Sequence, residues 1–331
     1  MSNNLHDPFG RKITYLRLSL TDRCDLRCFY CMSENMVFLP KKELLTLEEL
    51  ATLTDAFIDR GVRKIRLTGG EPLVRKGFMT LVHHLSTHLE AGRIDEITLT
   101  TNATQLSKYA HQLKSAGVAR INVSLDTLNP LKFTHITRGG NLAQVLSGID
   151  AAQSAGLKVK INAVALKQDN ADDIPKMIAW AHARDIDITL IEVMPMGDEI
   201  NRFDQYIPLT AIRDALEKNW TLSESGHNTG GPARYVNIKE TGGRLGFISP
   251  LSHNFCASCN RVRVTCTGKL FMCLGQNDQA DLRDAIRSGS PRALDHILDD
   301  AISRKPEKHN FDIKESKTSG QMPRHMSVTG G

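Results

Sequence analysis

The chain has 331 residues, of which 40% are hydrophobic and 24% charged, and it carries a net charge of +5. This is roughly two domains' worth of chain with enough apolar side chain for a sizeable core, which excludes wholesale disorder. The cationic excess is mild. It suits a polyanionic small molecule and is too diffuse to argue for a nucleic-acid partner.

The opening "MSNNLHDPFGRK" is polar and lacks the apolar stretch of a secretory signal, and no run of about 18 apolar residues follows it. A cytoplasmic protein with no membrane segment is the expectation. From 13 to about 194, β-rich runs alternate with helical patterns. The runs are 13–20, 62–70, 96–102, 120–126, 157–166 and 186–194. The first helix should start at Thr46, with Glu49 three residues on as a capping box, and continue through Leu50, Leu53 and Phe57. Further helices are expected near 77–90, 105–116, 141–155 and 172–184. Six such alternations argue for a parallel sheet with right-handed crossovers. Past 200 the pattern changes: a helix at 209–218, a Gly-rich turn at 227–234, a hairpin at 260–274 and helices at 278–288 and 291–303. The reading divides the chain into a barrel region (1–200), a C-terminal α+β region (201–310) and a flexible polar tail (311–331).

The strands are not uniformly apolar, as strands of a parallel sheet buried on both faces usually are. With period two, Tyr15, Arg17 and Ser19 share a face in the first strand, and Lys64, Arg66 and Thr68 do so in the second. Thr98, Thr100 and Asn102 follow in the third, Asn122, Ser124 and Asp126 in the fourth, and Lys158, Lys160 and Asn162 in the fifth. The opposite faces are apolar and fit an outer layer of helices. Five strands offering polar groups to one interior is costly unless a polar ligand fills it.

Seven cysteines fall into two groups, Cys24, Cys28 and Cys31 near the start and Cys256, Cys259, Cys266 and Cys273 near the end. Tight clusters and an odd count, without an export signal, read as metal ligation in a reducing compartment. The first group lies on the loop after the first strand, at the end of a parallel sheet where active sites gather. Three thiolates can hold three irons of a [4Fe–4S] cluster and leave the fourth open to a ligand, or they can belong to a zinc site completed by a distant residue. Four cysteines near the end also make a zinc-ribbon candidate.

"CDLRCFYC" (24–31), followed by "TGGEP" (68–72) after the second strand, resembles the signature of the radical S-adenosylmethionine (SAM) superfamily. "FCASCNRVRVTCTGKLFMCL" (255–274) is similar to the C-terminal motif of the GTP 3′,8-cyclase family, which opens molybdenum-cofactor biosynthesis. The resemblance spans nearly the whole chain. It implies a partial (βα)6 TIM-like barrel with a C-terminal α+β extension carrying a second Fe–S cluster. Its cofactors would be two [4Fe–4S] clusters and SAM, the first cluster on Cys24, Cys28 and Cys31 and the second on Cys256, Cys259 and Cys273. Tyr30, Gly70, Ser124 and Met194 match SAM contacts. Arg17, Arg66, Thr100, Lys160, Arg261, Val262 and Arg263 match GTP contacts, and Lys64 is added as a phosphate candidate because it shares the Arg66 face. Arg17 and the terminal Gly330 and Gly331 are the positions with an implied part in catalysis, with the tail ordering as substrate binds. Cys266 has no place in the motif and reads as packing. Thr189 departs from the pattern: many members carry an arginine five residues before the methionine matching Met194.

The implied reaction cleaves SAM to a 5′-deoxyadenosyl radical, abstracts the C3′ hydrogen of GTP and closes C3′ onto C8 of guanine. Its implied partners are GTP, an external electron donor and a downstream cyclic pyranopterin monophosphate synthase, with a homodimer possible. Two alternatives are a peptide-modifying radical SAM enzyme, which tight GTP binding would exclude, and a zinc-stabilised nucleic-acid-binding module, which would be colourless and free of iron.

Overall fold

The structure is a computed structural model that describes residues 4–197, 204–253, 255–311 and 324–330. Its first part alternates as the periodicity predicts: β1 (Tyr15–Ser19), α1 (Leu47–Asp59), β2 (Lys64–Thr68), α2 (Phe78–Glu90), β3 (Glu96–Thr101), α3 (Leu106–Ser115), β4 (Arg120–Ser124), α4 (Pro130–Thr137), α5 (Leu142–Ser154), β5 (Lys158–Ala165), α6 (Ile174–His182) and β6 (Asp187–Glu192). The capping box of α1 is formed: the Glu49 amide donates to Thr46 Oγ1 at 3.1 Å and the Thr46 amide to the Glu49 carboxylate at 2.7 Å. Its buried stripe includes Leu50, Leu53 and Phe57. Helix α4 was not foreseen, although Asn129 caps it through the Leu131 and Lys132 amides with Pro130 in the first turn.

Strands β1 to β6 are parallel neighbours in chain order. Leu16, Leu18, Ile65, Leu67, Ile97, Leu99, Ile121, Val123 and Ile161 turn outward to the helices and form one core with them. Burying each such side chain stabilises by about 1.5–3 kcal/mol. The opposite residues point into the concave side of the sheet.

The second part is α7 (Leu209–Glu217), β7 (Leu222–Ser225), β8 (Arg234–Ile238), β9 (Arg244–Ile248), β10 (Arg261–Val264), β11 (Lys269–Phe271), β12 (Gln279–Asp281), α8 (Arg283–Arg287), α9 (Pro291–Ser303) and the short α10 (Met326–Thr329). The expected helix at 278–288 is divided, because Ala280 pairs with Leu270 in the ladder and Asp281 accepts from the Arg283 amide to start a separate turn.

The 201–310 region does not pack as a unit of its own. The sheet order is β12-β11-β10-β1-β2-β3-β4-β5-β6-β9-β8-β7, with β10 parallel to β1 and β9 parallel to β6. The C-terminal strands thus cover both open edges of the six-stranded sheet, edges that would otherwise expose unpaired backbone groups. Arg60, at the end of α1, joins α9 through ion pairs with Asp295 and Asp299. No helix among the described residues is long and apolar enough to cross a membrane.

Candidate active site between two cysteine triads

A cavity of about 290 Å³ lies on the polar side of the sheet, and both cysteine triads line it. At one end, the loop after β1 presents Cys24, Cys28 and Cys31. The Cys28 carbonyl accepts from the Cys31 and Met32 amides, a tight turn that places the thiols on one side. Burial pushes the Cys24 and Cys28 thiols up, and nearby acids, Glu71 for Cys24 and Asp126 for Cys28, add to it. A thiolate there therefore requires a bound cation. No cysteine among the described residues is in a disulfide.

The glycine turn after β2 packs directly on this loop. A Cβ on Gly70 would stand 2.2 Å from the Arg23 carbonyl oxygen, so only glycine lets the two backbones meet. Glu71 is buried beneath. It accepts from the Asn102 amide (2.7 Å), the Leu73 amide (3.0 Å) and the Thr101 hydroxyl (2.7 Å). Burial nevertheless raises its pKa to about 7. Tyr30 donates to Asp126 Oδ2 at 2.7 Å, which fixes its ring; Asp126 is raised to about 6 by burial. Tyr30, Gly70, Ser124 and Met194 all line this end of the cavity.

The cavity's middle is cationic. Strand register sets Arg263, Arg17 and Arg66 side by side on β10, β1 and β2, with Arg261 beside Tyr15 two residues earlier. Burial, then Arg263 and Arg66, hold the Arg17 pKa well below its ordinary value. Burial and Arg261 lower Arg263 to about 10, and burial with Arg66 and Arg120 lowers Lys160 to about 7. A guanidinium does not shed its proton in a protein, so a row of this kind favours an anionic ligand. Arg66 Nε, Thr100 Oγ1 and Asn162 Oδ1 are buried here without a hydrogen-bond partner among the described residues. Each is costly unless a ligand completes it. Lys160 keeps one partner, the Tyr235 hydroxyl at 3.0 Å.

At the other end lie Cys256, in a 3-10 turn, Cys259, and Cys273 after β11. Burial would raise the Cys259 thiol, but Arg261 and then Lys305 outweigh it and bring it to about 7. Thiolates on one tetrahedral ion, about 2.3 Å from it, stand roughly 3.8 Å apart. Among the described residues only Asp55, His84 and His88 bring three donor atoms all within 4.8 Å of one another. Both cysteine triads are therefore wider than a single zinc ion needs, and their all-thiol donor set suits a larger iron–sulfur group. The Asp55 trio is already satisfied as hydrogen bonds: Arg93 donates to His88 Nδ1, which leaves the proton on Nε2 to be donated to Asp55.

Two expected site residues are placed elsewhere. Lys64 does not line the cavity; it pairs with Glu96 and donates to the Thr229 carbonyl at 2.9 Å, so it holds the Gly-rich loop. The Val262 side chain is wholly buried in the apolar core, because it alternates with Arg261 and Arg263 and faces the opposite side. Gly331 lies outside the described residues. Thr189 is buried on β6 between Asn162 and Gly246 and does not line the cavity. Cys266 is also apart, buried with its thiol pushed up to about 12 by burial. Cys266→Ala is expected to retain the iron content and SAM cleavage of the parent chain; loss of half the iron would make Cys266 a ligand.

Residues 324–330 of the tail lie against the site. Arg324 donates to the Leu274 carbonyl and to Asn277 Oδ1, and its guanidinium sits over the Phe271 ring at 4.3 Å. Gly330 reaches the arginine row, where its carbonyl accepts from Arg263 Nη1 at 2.8 Å. Residues 324–330 are thus docked through protein contacts of their own.

Tyr15, Glu71, Asn162, Phe255, His309 and Phe311 line the cavity and were not anticipated as site residues. Tyr15 and Asn162 were legible from the period-two faces. Nothing local in the sequence marks His309 or Phe311.

Comparison with known proteins agrees with this arrangement. Residues 18–181 match the radical SAM superfamily, and residues 186–311 match the family described as Molybdenum Cofactor Synthesis C. GTP 3′,8-cyclase of Brucella ovis (strain ATCC 25840 / 63/290 / NCTC 10512) is 62% identical over 327 residues, 98% of this chain and 95% of that protein. GTP 3′,8-cyclase of Sinorhizobium medicae (strain WSM419) is also 62% identical, over 98% of this chain and 94% of its own. In fold alone, the chain is similar to Streptococcus suis SuiB bound to S-adenosylmethionine, with a TM-score of 0.64 at 15% identity over 97% of this chain and 78% of that one. Near full-length identity at this level, on a radical SAM fold whose cavity joins two cysteine triads, means that the chain belongs to the GTP 3′,8-cyclase family of radical SAM enzymes.

Proposed function

We propose that the cyclase reaction of this family, GTP to (8S)-3′,8-cyclo-7,8-dihydroguanosine 5′-triphosphate, takes place in the cavity between the two triads. The observation that carries this placement is the row of buried arginines Arg263, Arg17 and Arg66, together with Lys160, whose crowded charges call for a polyanion between two sets of thiols. Cys24, Cys28 and Cys31 would hold one [4Fe–4S] cluster, and Cys256, Cys259 and Cys273 a second. The first, when reduced by an external donor, supplies the electron that cleaves SAM.

The protein's share is positioning and exclusion. Tyr30, Gly70, Ser124 and Met194 form the SAM subsite beside the first triad. Arg17, Arg66, Arg261, Arg263, Lys160 and Thr100 receive the triphosphate and ribose. On this reading the guanine would lie toward Cys256, Cys259 and Cys273. The product would then be substrate for a cyclic pyranopterin monophosphate synthase.

Anaerobic incubation of the chain with SAM, GTP and a reductant, followed by mass analysis, tests the reading. The expected products are 5′-deoxyadenosine and a nucleotide isomeric with GTP, of the same mass and separated from it by chromatography, because the C3′ hydrogen lost to 5′-deoxyadenosine is balanced by one electron and one proton. SAM cleavage without any change to GTP would refute it. A charge-assisted contact to phosphate contributes about 1.5–3 kcal/mol, so Arg17→Ala, Arg261→Ala and Arg263→Ala should each weaken GTP binding roughly tenfold or more while sparing SAM binding. Titration of GTP into each variant decides this; unchanged affinity in all three would remove the arginines from the site.

A further inference from the structure

Lys305 follows α9 and is 3% exposed. Its ammonium donates to the Met272 carbonyl at 2.7 Å and lies 3.8 Å from Cys259 Sγ. Among the described residues it makes no ion pair with a carboxylate. The contrast with its cationic neighbours is informative. Arg11, which also reaches this loop through the Cys256 carbonyl, is paired with Asp7, and Arg304 next in sequence is paired with Asp278 and Asp300. Lys305 acts instead on the thiols: its charge favours the thiolate of each of Cys256, Cys259 and Cys273. Burying an ammonium is expensive unless an anion compensates it. Lys305 does not line the cavity, whereas Arg261 and Arg263 do, so it stands behind the triad on the side away from substrate.

We propose that Lys305 is the charge-compensating positioning residue of the second cluster, hydrogen-bonded to the Cys259 thiolate and setting how readily that cluster accepts an electron. This rests on the reading that Cys256, Cys259 and Cys273 hold a cluster. One-electron reduction adds negative charge to a thiolate-ligated group, so a buried cation in contact with a ligand stabilises the reduced form more than the oxidised one. Loss of the cation should therefore make the cluster harder to reduce.

The test uses the full chain, reconstituted anaerobically, as the parent, Lys305→Met and Lys305→Arg. Iron content is measured first. Potentials are then followed by electron paramagnetic resonance during a reductive titration, the first cluster being identified as the one whose signal SAM perturbs. In Lys305→Met we expect two clusters' worth of iron, an unchanged first cluster, and at least a tenfold fall in the equilibrium constant for reducing the second, about 59 mV toward more negative potential. Lys305→Arg should stay near the parent. Loss of the second cluster in Lys305→Met with retention in Lys305→Arg would also support the requirement for charge. Unchanged potential in a fully loaded Lys305→Met, or failure of both variants alike, would overturn the proposal. A parent chain with only one cluster's worth of iron would instead overturn the second-cluster reading on which it rests.

Discussion

Replacing Cys28 by serine is expected to abolish SAM cleavage while leaving GTP binding intact. Cys28 lines the cavity, and its carbonyl closes the turn that presents all three thiols, accepting from the Cys31 amide at 2.9 Å and the Met32 amide at 3.2 Å. Serine keeps that turn and nearly the same volume but exchanges a soft thiolate ligand for a hydroxyl that does not ionise at neutral pH. The arginine row is built from β10, β1 and β2, and does not depend on this loop. The measurements are iron content, 5′-deoxyadenosine yield and a GTP titration on the anaerobic enzyme. About half the parent's iron, no 5′-deoxyadenosine above background and GTP affinity within about twofold of the parent are expected. A normal 5′-deoxyadenosine yield from Cys28→Ser would sink the assignment of the first cluster.

Deleting only Gly330 and Gly331 is expected to block formation of the cyclised nucleotide with both clusters and SAM binding retained. Gly330 has φ +74, and a Cβ there would fall 2.0 Å from Thr68 Oγ1, so the tail can occupy this slot only as glycine. Its carbonyl takes one N–H of Arg263, and a guanidinium carries five donors, so the same arginine still has others for phosphate. The tail therefore orients Arg263 without consuming it. The Arg324 contacts to Leu274 and Asn277 survive the deletion, so the loop around Cys273 should keep its shape. Product formation is followed by chromatographic separation from GTP with mass analysis, beside the 5′-deoxyadenosine yield, and Gly330→Ala serves as a milder companion. The expected drop is at least tenfold in cyclised nucleotide, the size of one lost charge-assisted contact in the reacting complex. Full-rate product from the truncated chain would leave the tail without a role in the reaction.

The amino-acid sequence by itself determined the six strand–helix alternations, the outward apolar and inward polar faces of β1 to β5, and the two sets of thiols. These are local properties: an apolar period of two or 3.6, a Thr46–Glu49 cap, and the spacing of Cys24, Cys28 and Cys31 and of Cys256 and Cys259, three or four residues apart, are encoded by near neighbours. Alternation alone puts Arg17, Arg66, Thr100 and Lys160 on the inward faces, because it decides which side of a strand a residue takes. Only the tertiary structure decided which strands meet at the sheet edges, and hence that Arg263 and Arg17, 246 positions apart, stand in one register while Arg66 flanks them. It also turned Lys64, on the correct face, toward Glu96 and the Gly-rich loop. Val262 went to the core, Lys305 to the back of a triad, and Gly330 to the arginine row. In each of these cases the partner is far away in sequence, and pairing between distant segments depends on how strand edges, buried charges and chain ends are satisfied together in the folded chain, which no local pattern records.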